Sequence, residues 1–487
     1  MLATNPRGSD GPSRPDGPSP RAGQNHDNAG RRAGILFLVA AAVFSLRQLT
    51  SFDVFWYLRS GEEMLRRHAL LFSDPFSYTS AQAWMNHEWL AEIFVALVAR
   101  LGGIPGLVMF ESAAVVCTLA ILVHGRWPSP DWKQWPAWVG LACAAVALGL
   151  AAEPRAQLLS GILFAATLSL CQEDRGRPSR RLYLALPIGV LWANVHGGNP
   201  TGVALLAILF ASAPSWRRAL VAVGAGLATL ASPYGLRVHE HFLGAHASLP
   251  EIREWHSLAN ALALGSLPQW AALFSALLAA ALLVPRIHRR EPVRFDVLAL
   301  LVFAAVAFRY ARFTWELSLL CASILLHLPG PAGPASEQHV PARRPFGIPV
   351  ALALLGIASL AARQPIGLSF DSRRIPVAAV EYLKRAQPEG PMLNSYNFGG
   401  YLMWAYPREK VFIDSRAFTV YSETHFQDLL RLYAEPSFFR TLEMRWHFRL
   451  AVLQRAGRGA RFLDWLRGQS DWRVLHEDDV ATVLGKI

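Results

Sequence analysis

The run Ser51-Phe52-Asp53-Val54-Phe55-Trp56-Tyr57-Leu58-Arg59 sets one carboxylate among aromatic residues, directly after an apolar stretch. A carboxylate at a water–lipid boundary is placed to take a proton from a substrate hydroxyl, because low local dielectric raises its proton affinity. The plainer role for Asp53 is to cap the following helix, since Asp is a favoured N-cap residue, and spacing alone favours capping. Farther on lie Asp74-Pro75-Phe76-Ser77 and Trp84-Met85-Asn86-His87-Glu88-Trp89, which add a second acid and an imidazole. The tryptophans and tyrosines serve equally well as interfacial anchors.

More polar residues fall where apolar runs end: Glu153-Pro154-Arg155, Asn194-Val195-His196-Gly197-Gly198, Arg253-Glu254-Trp255, and Arg309 with Arg312. Arginines converging on one face suit a phosphate, whose oxygens match the guanidinium fork. For any one of them, snorkelling to the interface is the ordinary alternative. Near the C-terminal end, Asn394-Ser395-Tyr396-Asn397-Phe398-Gly399-Gly400-Tyr401 is expected between a strand and a helix, where glycines admit close backbone approach and a polar ligand. Asp414 and Arg416 follow at an expected strand end, as ligand-binding groups or as a local ion pair. Neither a Walker loop nor a dinucleotide fingerprint occurs, so no nucleotide cofactor is expected.

The elements that hold these residues are apolar. Of 487 residues, 53% are hydrophobic and 17% charged, with mean hydropathy +0.25, whereas soluble domains carry about 25% charged residues. The four cysteines lie in or beside the apolar runs, which excludes a disulfide framework or a zinc ribbon. The net charge of +12 reads as a topology signal, and nucleic acid is not an expected partner. Candidate spans are roughly 33–49, 104–124, 136–152, 157–172, 182–196, 200–214, 217–232, 269–285, 294–309, 312–328 and 347–362. The expected fold is a polytopic α-helical membrane protein with about 11 transmembrane helices in the lipid bilayer. Residues 1–32, rich in Pro, Gly, Ser and Arg, are expected to form a disordered tail. The first apolar run sits too far along the chain to read as an ordinary signal peptide.

Arginines at 175, 177, 180, 181, 217, 218, 286, 289, 290, 294, 343 and 344 place four loops and the N-terminal tail in the cytoplasm. Parity then puts residues 51–103, a first loop with interfacial helices, on the outer side, provided Trp89–Leu101 does not cross. After a linker at 363–375, residues 376–487 are expected to form a small outer α/β domain. Its expected helices are Val377–Arg385, Phe426–Tyr433 and Phe438–Trp446; its expected strands are Pro391–Tyr396, Val411–Asp414 and Leu450–Leu453, with a closing hairpin.

Together these patches resemble the GT-C superfamily of membrane glycosyltransferases, which includes protein O-mannosyltransferases, the aminoarabinose transferase and oligosaccharyltransferase catalytic subunits. The resemblance covers the layout of residues 33–455. It is carried by Asp53 with Trp56-Tyr57-Leu58-Arg59, by the loop from Asp74 through His87-Glu88-Trp89, and by Asn194-Val195-His196-Gly197-Gly198. It looks closest to an uncharacterised bacterial branch that pairs these with Phe398-Gly399-Gly400-Tyr401 and Val411-Phe412-Ile413-Asp414-Ser415-Arg416.

What the resemblance implies is sugar transfer from a polyprenyl-phosphate-linked donor to an unspecified acceptor, at the extracytoplasmic face of a bacterial inner membrane. Asp53 matches the catalytic acidic position, and Glu88 is a looser second. Arg155, Arg253 and Arg309 would meet the donor phosphate. Arg59, His87, His196, Glu254, Asn397, Tyr401, Asp414 and Arg416 would contact substrate. The Tyr396–Tyr401 run is a distant echo of the Trp-Trp-Asp-Tyr-Gly motif of oligosaccharyltransferases without its tryptophans and aspartate, so sequon recognition is not implied. Adjacent paired acids are missing from the first loop, which leaves use of a divalent metal open. A transporter or flippase of a lipid-linked glycan, or a non-catalytic envelope scaffold, would share the layout; no inverted repeat favours the transporter.

Overall fold

In a computed structural model, residues 20–80, 83–124, 126–128, 134–243, 255–328, 347–362 and 365–487 are described. The helices are α1 (Pro20–Ser45), α2 (Asp53–Arg67), α3 (Trp89–Val123), α4 (Trp135–Ala151), α5 (Ala156–Gly176), α6 (Ala185–Val195), α7 (Pro200–Ser212), α8 (Trp216–Ala228), α9 (Arg237–Leu243), α10 (Leu258–Ala263), α11 (Leu267–His288), α12 (Arg294–Arg309), α13 (Thr314–His327) and α14 (Gly347–Ala361). A helix thus lies in each apolar segment expected to span. Among the described residues, α3 and α11 are the two helices long and apolar enough to cross a bilayer on their own.

Two boundaries differ from expectation. The first helix starts at Pro20, inside the stretch expected to be disordered; residues 1–19 lie outside the described residues. Extending a helix already nucleated by an apolar segment costs little per residue. Trp89–Leu101 and the run after it are joined in α3, with a break where Gly103 takes φ +60° and Pro105 follows.

The surfaces of the bundle explain its solvent. Leu220, Val223 and Leu227 on α8, and Trp270, Phe274 and Leu277 on α11, are exposed at helical spacing. Apolar stripes facing outward from a packed helix bundle need lipid rather than water against them. By contrast α4 is almost wholly buried, between α11, α13 and α14.

Beyond α14 come α15 (Val377–Ala386), β1 (Met392–Asn394), α16 (Gly399–Ala405), α17 (Glu423–Ala434), α18 (Phe439–Trp446), β2 (Leu450–Gln454), α19 (Ala460–Arg467), β3 (Trp472–Glu477) and β4 (Ala481–Lys486). The strands form one sheet in the order β1-β2-β4-β3, parallel between β1 and β2 and antiparallel elsewhere. Val411–Asp414, expected as a strand, does not join it. Asn394 takes its place at the sheet edge: its Oδ1 accepts from Phe412 N–H (2.8 Å) and its Nδ2 donates to the Ile413 carbonyl (2.7 Å). The segment pairs with the first loop instead, through a bridge between Ser77 and Val411.

That pairing belongs to a shared core. Val54, Phe55, Leu58, Phe76 and Trp84 of the first loop pack in the same apolar cluster as Phe398, Leu402, Phe412 and Val452. The glycine pair expected to admit a ligand brings the chain against itself. A Cβ on Gly399 would lie 2.1 Å from the Ile413 carbonyl oxygen, and one on Gly400 2.8 Å from that of Phe52. α16 therefore sits directly on the start of α2, with Tyr401 against Phe55 at 4.8 Å between ring centroids. Overpacking of this kind typically costs about 1–3 kcal/mol. Gly399→Ala is expected to lower the melting temperature clearly in a thermal unfolding assay, whereas Gly356→Ala, which meets nothing within 4 Å, should not.

Candidate active site

Asp53 is the first residue of α2, and the N-cap position is Phe52, which makes no side-chain cap. The capping role favoured by spacing is therefore not the one it has. Its Oδ2 accepts from Nη1 of Arg155 at 2.5 Å. Arg155 precedes α5 in extended conformation and also holds Glu153, Nε to Oε2 at 2.9 Å. Ser51 completes the group: its hydroxyl donates to Glu153 (2.8 Å) and accepts from the Asp53 backbone N–H (3.2 Å). One guanidinium thus joins two carboxylates from segments far apart in the chain.

One turn along α2, Tyr57 projects beside this group, and its hydroxyl accepts from the Ala156 N–H at 3.4 Å. The same hydroxyl donates to Oε2 of Glu88. The other Glu88 oxygen faces two imidazoles, Nε2 of His196 at 3.4 Å and Nε2 of His87 at 3.5 Å. The His196 tautomer follows from its other nitrogen. Nδ1 accepts from Gly198 N–H (3.2 Å) and lies 2.8 Å from Ser160 Oγ, which itself accepts from Trp192 Nε1 (2.7 Å). With Nδ1 an acceptor, the proton sits on Nε2 and points at Glu88.

The electrostatics agree with that assignment. Burial pushes His196 down to about 3; the pull of Glu88 opposes this, while the charges of Arg312, His87 and Arg155 add to it. Burial also works against ionised Glu88, but His87, His196 and the Tyr57 hydroxyl outweigh it and bring its carboxyl down to about 2. Both groups then bind protons more weakly folded than unfolded. Stability must fall as pH drops below about 6.5, first through His196 and then, below the ordinary Glu value, through Glu88. Thermal melts between pH 7.5 and 4.5 should show the decline, and His196→Gln should flatten its upper part.

The charge of Arg312 also reaches this network, and the side chain makes no ion pair within 4 Å among the described residues, although buried Glu316 feels the same charge. It stacks on Trp255, 4.5 Å from guanidinium carbon to ring centroid. Arg309 is exposed and lies over Tyr310. Arg253 and Glu254 fall outside the described residues.

Other residues expected to contact substrate lie elsewhere. Arg59 faces the Phe76 ring and Glu63, and Asn397 donates to Gln454. Asp414 and Arg416 are fully enclosed: Arg416 pairs with Asp414 at 2.6 Å and with Asp74 at 2.7 Å, and Tyr421 donates to Asp414. Enclosure removes them from any ligand and makes them the tie between first loop and tail. Breaking such a buried pair costs about 3–5 kcal/mol, so Arg416→Ala is expected to unfold or loosen the tail, seen as new protease cleavage. Among the described residues, no group of three or more His, Cys, Asp or Glu side chains is arranged to hold a metal ion.

The members that sequence reasoning left without a role are Tyr57, Glu153, Ser160 and Arg312. Tyr57, Glu153 and Arg312 were visible in an aromatic run or at a span end, without their partners; Ser160, inside the 157–172 run, gave no signal in the sequence.

No protein-family profile and no curated protein matches the sequence. Solved structures do. The oligosaccharyltransferase AglB from Archaeoglobus fulgidus, solved with an inhibitory peptide and a dolichol-phosphate, superposes with TM-score 0.54 at 11% identity, over 86% of this chain and 69% of that one. The arabinofuranosyltransferase AftD from Mycobacteria superposes with TM-score 0.50 at 14% identity, over 94% of this chain but 40% of that one. At these identities the likeness is one of architecture: this chain shares the fold of these two transferases.

Proposed function

We propose that the protein is an integral-membrane glycosyltransferase that moves a sugar from a polyprenyl-phosphate-linked donor to an acceptor hydroxyl, with Asp53 as general base. The observation that carries this reading is the Asp53–Arg155–Glu153 group beside the Tyr57–Glu88–His196 network, at one end of a GT-C bundle. Arg155 fixes the direction of the Asp53 carboxylate through the bond to Oδ2, and Oδ1 is the oxygen to face an acceptor hydroxyl. The acceptor oxygen attacks the anomeric carbon, its proton passes to Asp53, and the bond to the phosphate oxygen breaks with its electron pair. Because Arg155 already holds two carboxylates, the leaving phosphate falls to Arg312, whose charge reaches His196 and buried Glu316 but which makes no ion pair within 4 Å among the described residues. Glu88 and His196 are positioning residues that tie α2 to α5 and α6. The AglB structure contains a dolichol-phosphate, which supports a lipid-phosphate donor here.

The outer-face placement of this end rests on the arginine-rich loops at the opposite ends of α5 and α12. The transporter reading fits less well, because Asp174 at that far end is sealed between Arg217 and Arg218. The test is donor turnover: purified protein incubated with labelled polyprenyl-phosphate sugars and membrane acceptors should release polyprenyl phosphate. Movement of intact donor across vesicles without release would instead make it a transporter.

A further inference from the structure

At the end of the bundle away from Asp53, three arginine-bearing loops are knitted together. Asp174 is fully buried and accepts from Arg217 and from Nε of Arg218 (2.8 Å). Arg217 also donates to the Ser179 carbonyl (3.0 Å), while Arg175 donates to Asp296 (2.5 Å) and to the Pro292 carbonyl (3.3 Å). These ties bring residues 173–181, 213–218 and 286–296 to one place.

The four carboxylates of these segments are all engaged: Glu173 with Arg181, Asp174 with Arg217 and Arg218, Glu291 with Arg286, and Asp296 with Arg175. Arg177, Arg180, Arg289, Arg290 and Arg294 are left exposed, with no ion pair or side-chain hydrogen bond among the described residues. Two of them flank Ser179 and three lie within three residues of Pro292, the two carbonyls that the ties touch. Directly beside them, Trp216, Leu220, Val284 and Ile287 are exposed and apolar, so this surface sits where a bilayer's hydrocarbon gives way to headgroups.

We propose that this arginine face is a binding surface for anionic phospholipid, with the five uncommitted guanidiniums taking the headgroup phosphates. The guanidinium fork meets a phosphodiester in two parallel hydrogen bonds, and among the described residues the chain supplies no other counter-charge there. The proposal is independent of glycosyl transfer.

The test uses the full chain reconstituted in phosphatidylcholine vesicles with a minority of phosphatidylglycerol, then extracted, with retained lipids counted by native mass spectrometry. Each arginine near an anionic surface contributes about 1 kcal/mol, or about fivefold, so phosphatidylglycerol should be enriched several-fold over its bulk share. High salt should remove the enrichment, and so should changing the five arginines to glutamine; changing them to lysine should keep most of it. If the five-fold variant does not fold, Arg289→Gln with Arg290→Gln, in an exposed loop, should still lower the enrichment measurably. Equal retention of both lipids by the wild type, unchanged enrichment in the glutamine variants, or displacement by inorganic phosphate as readily as by lipid would overturn the proposal.

Discussion

Asp53→Asn is expected to lower product formation by about 100- to 10,000-fold, the range in which a positioned general base contributes. Asparagine keeps the shape of the side chain and can still accept from Arg155, which also retains Glu153, so the loss should come without unfolding. Lipid donor should still bind, because Asp53 serves the acceptor proton and not the phosphate. The check is donor turnover alongside donor binding and a thermal melt of the same preparation. Glu153→Gln provides the contrast: it removes a partner of Arg155 without touching the base, so its effect should be smaller.

The second large effect is expected at Arg312. Preorganised charge on a leaving group is commonly worth about 100- to 1,000-fold in rate, so Arg312→Gln should lose that much turnover. Lysine keeps the charge but neither the fork nor the flat stack on Trp255, so Arg312→Lys should recover part of it. Arg309→Gln should matter little, since that exposed side chain lies over Tyr310. Steady-state turnover with saturating donor separates these variants, and a large loss at Arg309 with none at Arg312 would reverse the assignment.

The helical segments were legible because an apolar run long enough to need a helix announces itself in composition. The membrane setting was legible for the same reason, and the GT-C resemblance rested on patches at the ends of those runs. The chemistry was less legible. Asp53 at the start of a helix reads as a cap because capping depends on neighbours, whereas its actual partner, Arg155, is 102 positions away. Tyr57 passes for an interfacial anchor until Glu88 is seen against its hydroxyl.

Gly399-Gly400 shows a different limit. Paired glycines state that something approaches the backbone closely, but not whether it is a ligand or the chain itself; here it is Ile413 and the start of α2. Asp414 and Arg416 had both readings open, and burial decided for the ion pair. Val411–Asp414 has the extended pattern of a strand, yet no pattern says that its neighbour is the first loop and not the sheet.

The measurement that bears most directly on Asp53 as the base of a lipid-donor transferase is mass spectrometry of envelope glycans and lipid-linked sugars. It compares cells carrying the wild-type protein, no protein, or Asp53→Asn. The expected result is that one glycan mass increment disappears in both altered strains while its lipid-linked donor accumulates, with the lost mass identifying the sugar. An unchanged glycan profile on deletion, or an Asp53→Asn strain indistinguishable from wild type, would contradict it.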